Sequence, residues 1–267
     1  MGEIIKIYIK YISIFFKSRS EYKCGFILGI VANFYTYFLA FLSFWLIINK
    51  FHNIAGWTFE DMSVLYGLNL FSYAAAGVIV WYNVFQLEKE ITTGKLDLYL
   101  TRPMSVLGQL ICSRFGDTFI GQLIVTLMFL INVLYKNSGD MEWFLIVYIF
   151  GALIGGIALQ VGAMIIFGSL AFWTMRSERI AEIFYYQLRS ITHYPLTIYP
   201  GWIKILLTFV FPWAFINYYP SLLILGKVST KGELICGLCA PIIGGVVLYI
   251  SIKIFNKGLY RYTSSGS

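Results

Sequence analysis

Charge is scarce in this sequence, and from six long stretches it is missing altogether. Only 12% of the 267 residues are Asp, Glu, Lys or Arg, while 59% are hydrophobic and the mean hydropathy is +0.75. Residues 24–49, 62–87, 118–135, 143–175, 205–226 and 234–252 contain none of the four charged types, in runs of 18 to 33 residues. A water-soluble domain of this composition is excluded, because its surface would expose far too much apolar area. Each run instead matches, or nearly matches, the ~20 residues of helix that cross a hydrocarbon core. The same lack leaves no carboxylate inside the runs for the proton relay of an ion-coupled pump.

Other absences narrow the chemistry. His52 and His193 are isolated, and no HExxH, serine elbow or paired aspartate motif occurs. The phosphate loop G-x-x-x-x-G-K-[ST] is also missing: Gly116 and Gly121 have its glycine spacing, but Gln122 stands where lysine is required. An energy source, if one is used, therefore lies outside this chain. Of the four cysteines, Cys236 and Cys239 form a C-x-x-C inside the sixth run, where packing is the expected role. The first run spans 26 residues, begins only at residue 24 and lacks a small-residue cleavage site, so it reads as a retained span and not a signal peptide.

What charge there is falls unevenly. With the N-terminus on the cytoplasmic side, the inner segments hold 16 Lys and Arg, and the outer ones only Lys50, Lys136, Lys227 and Lys231. Basic loops resist translocation, so both ends are expected inside. Trp45, Trp57, Trp81, Trp143, Trp173 and Trp202 then fall near span ends, at headgroup level. The net charge of +7 is accordingly a topology signal and not a nucleic-acid footprint, because no basic cluster occupies one soluble face.

Residues 1–23 read as an interfacial amphipathic helix, with Lys6, Lys10, Ser13 and Lys17 on one side of a largely apolar segment; the competing reading is an extension of the first span. Residues 24–267 form a single membrane domain of six spans. Between the second and third spans, 87–117 is the densest polar segment. Leu96, Tyr99 and Leu100 recur at helical spacing, and Pro103 ends that helix by disfavouring helix at Arg102. Ser105 is placed to cap a second helix with Val106, Leu107, Leu110 and Ile111 on one face. The segment predicts a cytoplasmic helical hairpin able to dock a partner, or one packed against headgroups.

The region 175–204 reads as an amphipathic helix along the inner surface. Ile180, Ile183, Phe184, Leu188 and Ile191 form its apolar side, and Glu178, Arg179, Glu182 and Arg189 its polar side, with Arg179 and Glu182 close enough to pair. Arg189 argues against placing this stretch in the bilayer, where a central arginine costs about 2.5–3.5 kcal/mol. Pro195, Pro200, Pro212 and Pro220 predict a kinked or broken fifth span at 205–226. Gly151 and Gly155 form a G-x-x-x-G on the fourth run, which suits close helix packing.

Glu88, Gly94, Leu96, Asp97, Tyr99, Leu100, Arg102 and Pro103 together form a pattern that resembles the segment between the second and third helices of the type-2 (ABC-2) permeases of ATP-binding-cassette exporters. A second stretch, with Tyr194, Pro195, Pro200, Trp202, Pro212, Asn217, Tyr218, Tyr219, Pro220 and Gly226, is similar to one bacterial subfamily of these permeases. So is the tail Arg261, Tyr262, Ser264, Gly266 and Ser267. The resemblance implies an all-α, six-helix permease of the bacterial cytoplasmic membrane, paired with an identical or related permease. A separate cytoplasmic ATPase chain would bind ATP and Mg, so this chain would be no enzyme and hold no cofactor. It implies that the eight residues from Glu88 to Pro103 form or support the element that couples to the ATPase. It also implies an element re-entrant from the outer side after the fifth helix, for which 212–226 is the candidate. The expected function is export of an unidentified substrate such as a peptide, lipid, drug or polysaccharide. Two alternatives stand beside it: a lipid-modifying membrane enzyme using Glu88, Glu90 and Asp97, and a non-transporting immunity or scaffold protein.

Overall fold

The computed structural model describes residues 2–21, 23–51, 55–136, 143–174 and 177–263. In chain order the helices are α1 (Gly2–Glu21), α2 (Lys23–Phe51), α3 (Phe59–Val80), α4 (Leu87–Thr92), α5 (Lys95–Leu100), α6 (Val106–Ser113) and α7 (Phe119–Lys136). They continue with α8 (Trp143–Ser169), α9 (Ser177–Ala181), α10 (Gln187–Ile191), α11 (Gly201–Ile205), α12 (Tyr218–Ile224) and α13 (Lys231–Leu259). Among the described residues there is no strand. Four helical stretches are long and apolar enough to cross a membrane, and a bent pair over 201–224 raises this to five.

Two of the long helices start on the same device. The Thr58 hydroxyl accepts from the Asp61 N–H while the Asp61 carboxylate accepts from the Thr58 N–H, and Thr230 and Glu233 repeat the exchange at α13. Each such box satisfies two amides that a helix start leaves free. From Thr58, α3 runs through the centre of the molecule, buried on nearly all sides by α7, α8 and α12. By contrast α2 leans on α7 and leaves Ile27, Leu28, Val31, Tyr35, Phe38 and Leu39 exposed. An apolar face of that extent requires lipid or another protein against it.

The expected glycine packing is found between α8 and α13. Gly155 and Gly244 meet so closely that a Cβ on Gly244 would lie 2.0 Å from the Gly155 carbonyl oxygen. The second uncharged run does not make one helix, however. α3 ends at Val80 and a wide π-helical turn, Trp81–Phe85, separates it from α4. Similar turns occur at Glu182–Tyr186, between α9 and α10, and at Leu206–Val210, after α11.

Arg189 and the helix that carries it depart from expectation. The buried residues of 177–192 are Ser177, Ala181, Tyr185, Arg189 and Thr192, one face of the helix, while Ile180, Ile183 and Phe184 point outward. Arg189 thus leaves the expected polar side for the interior, while Arg179 stays exposed. The Arg189 Nε donates to Asn69 Oδ1 at 3.3 Å, and Asn69 is the eleventh of the 22 residues of α3, so the guanidinium sits at mid-height of the bundle. The chain enters this segment beside α4, where Glu178 meets Glu88, and leaves it at the far end of α3, where Thr197 shares a cavity with Gly56 and Trp57. A path of 20 residues from end to end is the right length for a helix crossing. The pairing expected of Arg179 with Glu182 falls on a side chain outside the described residues, as do Ser264, Gly266 and Ser267.

The 205–226 run is not a single straight helix either. Gly201–Val210 and Trp213–Ile224 are bent by 80° at Phe211 and Pro212. Pro212 cannot donate a backbone hydrogen bond, which favours a break there. Both arms start and finish near the end of the bundle where α3 begins, and the apex Trp213 packs between Phe167 and Tyr185 in the interior.

Candidate functional site

The hairpin of α4, α5 and α6 projects from the end of α3. Its inner side is anchored by Leu87, Ile91, Leu96, Val106, Leu107 and Leu110, all buried. Gly94 makes the turn from α4 to α5 at φ 67°, a conformation that side chains with a Cβ rarely adopt. Gln109 fixes the second turn: its fully buried amide donates to the carbonyls of Tyr99 (3.0 Å) and Met104 (3.1 Å). The Tyr99 hydroxyl reaches Ser113 Oγ at 3.4 Å. With both turns held, 98–103 forms a fixed tip on which Leu98 and Leu100 are 62% and 46% exposed, beside exposed Thr101, Arg102 and Pro103.

The hairpin is braced from two directions. Arg102 donates to the Tyr11 hydroxyl of α1, and Phe15 meets Phe115 edge to face at 5.4 Å. Exposed Lys6, Lys10, Ser13 and Lys17 share α1 with exposed Ile7, Ile9 and Ile14, so α1 contacts the hairpin mainly through Tyr11 and Phe15. On the other side the Glu88 carboxylate accepts from the Glu178 N–H at 2.8 Å and from Ser177 Oγ at 3.4 Å. A carboxylate at the first amides of a helix satisfies donors that have no partner within the helix. The Glu88 carboxylate thus ties α4 directly to α9. The return segment is pinned by the Gly116 N–H on the Val78 carbonyl (2.9 Å) and by Arg114 over the Tyr82 ring (4.3 Å).

All eight expected residues lie in this hairpin, but they do different things. Glu88 holds α9, Gly94 makes a turn, Leu96 is core, Asp97 and Tyr99 are half-buried, and Leu100, Arg102 and Pro103 belong to the tip. The expected stripe of Leu96, Tyr99 and Leu100 is therefore not one outward face. Leu98, Gln109, Ser177 and Glu178 are the residues that spacing missed. Leu98 occupied a position between periodic apolar residues, and Gln109 gave no signal because its two acceptors are main-chain carbonyls. Glu88, central to the enzyme alternative, is already engaged by a backbone amide. Cys112 on α6 is half-buried, and burial pushes its thiol above the usual range, which disfavours a nucleophilic thiolate. Among the described residues no three His, Cys, Asp or Glu side chains are grouped to hold a metal.

A second polar assembly surrounds Arg189. Its guanidinium carbon lies 3.5 Å from the centre of the Tyr73 ring. Asn69 Nδ2 donates to Thr192 Oγ1 (2.8 Å), and Asn217 Nδ2 donates to the carbonyls of Thr192 (2.6 Å) and Leu65 (3.3 Å). The Tyr185 hydroxyl donates to Gln160 Oε1 at 2.5 Å. Polar groups from α3, from the end of α10 and from the bent pair thus meet around Asn69 and Thr192, and Gln160 of α8 bonds Tyr185 one turn before Arg189. At the end where α3 begins, Lys227 pairs with Asp61, and a cavity of about 460 Å³ opens beside them, lined by Trp57, Thr197, Tyr218 and Glu233.

A family model described as ABC-2 family transporter protein matches residues 34–266, nearly the whole chain. No curated protein and no solved structure gives a match.

Proposed function

Since the chain belongs to the ABC-2 transporter family as a membrane permease component, we propose that it forms half of an export pathway whose power comes from a separate ATPase docked on the hairpin tip. In this reading α2, α3, α7, α8, the 177–199 segment and α13 are the six crossings, and 201–224 is a hairpin that dips in from the outer side. The inner side is that of the hairpin and of both termini, in keeping with the basic residues gathered there. α1 lies in the inner interface, with its lysines toward anionic lipid. The membrane is the bacterial cytoplasmic membrane.

The observation that carries the proposal is the tip itself. Two exposed leucines are held on short helices whose inner side is core, and the same hairpin grips α1 through Arg102 and α9 through Glu88. A projection that is held at both turns, apolar at its end and bonded to two other helices is suited to transmit force; a hairpin that merely rests on headgroups needs none of these features. The partner supplies ATP and Mg, and a second permease, identical or related, closes the pathway. The test is purification of the chain from its native membrane with every stoichiometric companion identified. An ATPase subunit, lost on substituting Leu98 and Leu100, is the expected result; a companion set with no ATPase overturns the proposal.

A further inference from the structure

Among the described residues Arg189 is a buried charge with no ion pair. It is 7% exposed, at mid-height of the bundle, and its contacts are neutral: Asn69 at Nε and the face of Tyr73. Its field reaches Tyr37, Tyr66, Tyr185 and His193, none of them acidic in the ordinary sense. Among the described residues no carboxylate pairs with it, whereas Lys227 has Asp61. A positive charge so far from water is costly unless paired, and its retention inside a crossing points to use.

Nearby donors are also unspent. Gln160 has its oxygen engaged by Tyr185, while its Nε2 is buried with no hydrogen-bond partner in the protein. Trp213 Nε1 is in the same condition, and the Trp213 ring lies 6.0 Å from that of Tyr185. Gln160 is 0% and Trp213 2% exposed. Tyr185 stands one helical turn from Arg189 and is linked to it through Tyr73. Two buried N–H groups without a protein partner, and a guanidinium with no carboxylate paired to it among the described residues, thus lie along one run of aromatic rings, Trp213, Tyr185 and Tyr73, a setting that suits a negative group.

We infer that Arg189, with Gln160 and Trp213, selects cargo carrying a carboxylate or phosphate on an apolar body. The inference rests on the permease reading and names its substrate class. The charge attracts the anionic head, the spare N–H groups complete its hydrogen bonds, and the aromatic wall at membrane mid-height takes the apolar part.

The test uses the full-length chain in nanodiscs of zwitterionic lipid, with tryptophan fluorescence reporting the binding of dodecanoate, dodecyl phosphate, dodecyltrimethylammonium and dodecyl maltoside. Both anions are expected to bind at least about tenfold tighter than the neutral and cationic amphiphiles. The ratio between the two anions distinguishes a carboxylate cargo from a phosphate one. R189Q should abolish the preference and R189K should keep it within about threefold, because the charge and not the fork is what attracts. Q160L leaves the Asn69 bond intact and should lower anion affinity by about threefold, which keeps the test decisive if R189Q misfolds. Equal affinity for all four probes in the unaltered chain, or an anion preference that survives R189Q in a folded protein, overturns the inference. Anion preference in a chain that purifies with no ATPase would fault the permease reading and leave the site standing.

Discussion

If the tip of the hairpin docks the ATPase as proposed, the strength of the contact can be worked from the structure. Leu98 and Leu100 are 62% and 46% exposed, together about one leucine side chain of apolar surface. Covering a leucine fully is worth ~1.5–3 kcal/mol, so L98A with L100A should weaken docking of the ATPase by about 10- to 100-fold in Kd. The measurement is titration of purified ATPase onto permease immobilised in nanodiscs, without nucleotide. Since neither side chain supports the core, the melting temperature should stay within about two degrees of the parent. Leu96 supplies the contrast: it is fully buried, and L96A should cost ~2–5 kcal/mol of stability whatever it does to docking. A folded L98A/L100A protein that binds ATPase within about twofold of the parent would refute the docking assignment, because the two leucines could then not be the residues that carry the binding energy.

Three further outcomes can be checked. E88A removes the acceptor for the Glu178 amide, a loss of ~0.5–2 kcal/mol at a helix start, and should raise hydrogen exchange over 177–182 while reducing transport more than ATPase docking. G244A forces a methyl to 2.0 Å from the Gly155 carbonyl and should lower the melting temperature sharply, while G245A, with no atom within 4 Å of the new carbon, should be near neutral. D61N and K227M each break the pair at the end where α3 begins. A double-mutant cycle should return a coupling of about 1 kcal/mol, the modest value expected where the lysine is 33% exposed.

The main helices were legible because lipid imposes a simple rule. Uncharged runs marked α3, α8 and α13, and the Thr58–Asp61 and Thr230–Glu233 boxes, visible as T-x-x-[DE], would have placed two of the starts to the residue. The end of α3 was not legible, since an uncharged stretch does not reveal where a wide turn interrupts it. In 177–192 the spacing correctly grouped Ile180, Ile183 and Phe184 on one exposed side, but it put Arg189 on the polar side when that residue is buried against protein. Arg189 is tolerated there through Asn69 and Tyr73, more than a hundred residues away in sequence, and no local pattern reports such a match. In the hairpin, the motif located the element while burial assigned the roles.

The wide turns at Trp81–Phe85 and Glu182–Tyr186 belong to different helices, yet they touch: Trp81 meets Tyr186 at 5.8 Å and Phe85 meets Tyr185 at 5.3 Å. A π-helical turn holds one surplus residue, which can be passed along the helix as it swivels while the backbone stays hydrogen-bonded. The hairpin's link to α3 and the segment after α9, which Glu88 holds, each carry such a turn where these rings meet edge-on or tilted, so the natural place for the molecule to flex is a single plane just above the hairpin. Rocking of the tip would arrive in the interior as rotation of two neighbouring helices about their own axes, and rotation, unlike translation, changes which side chains face the path.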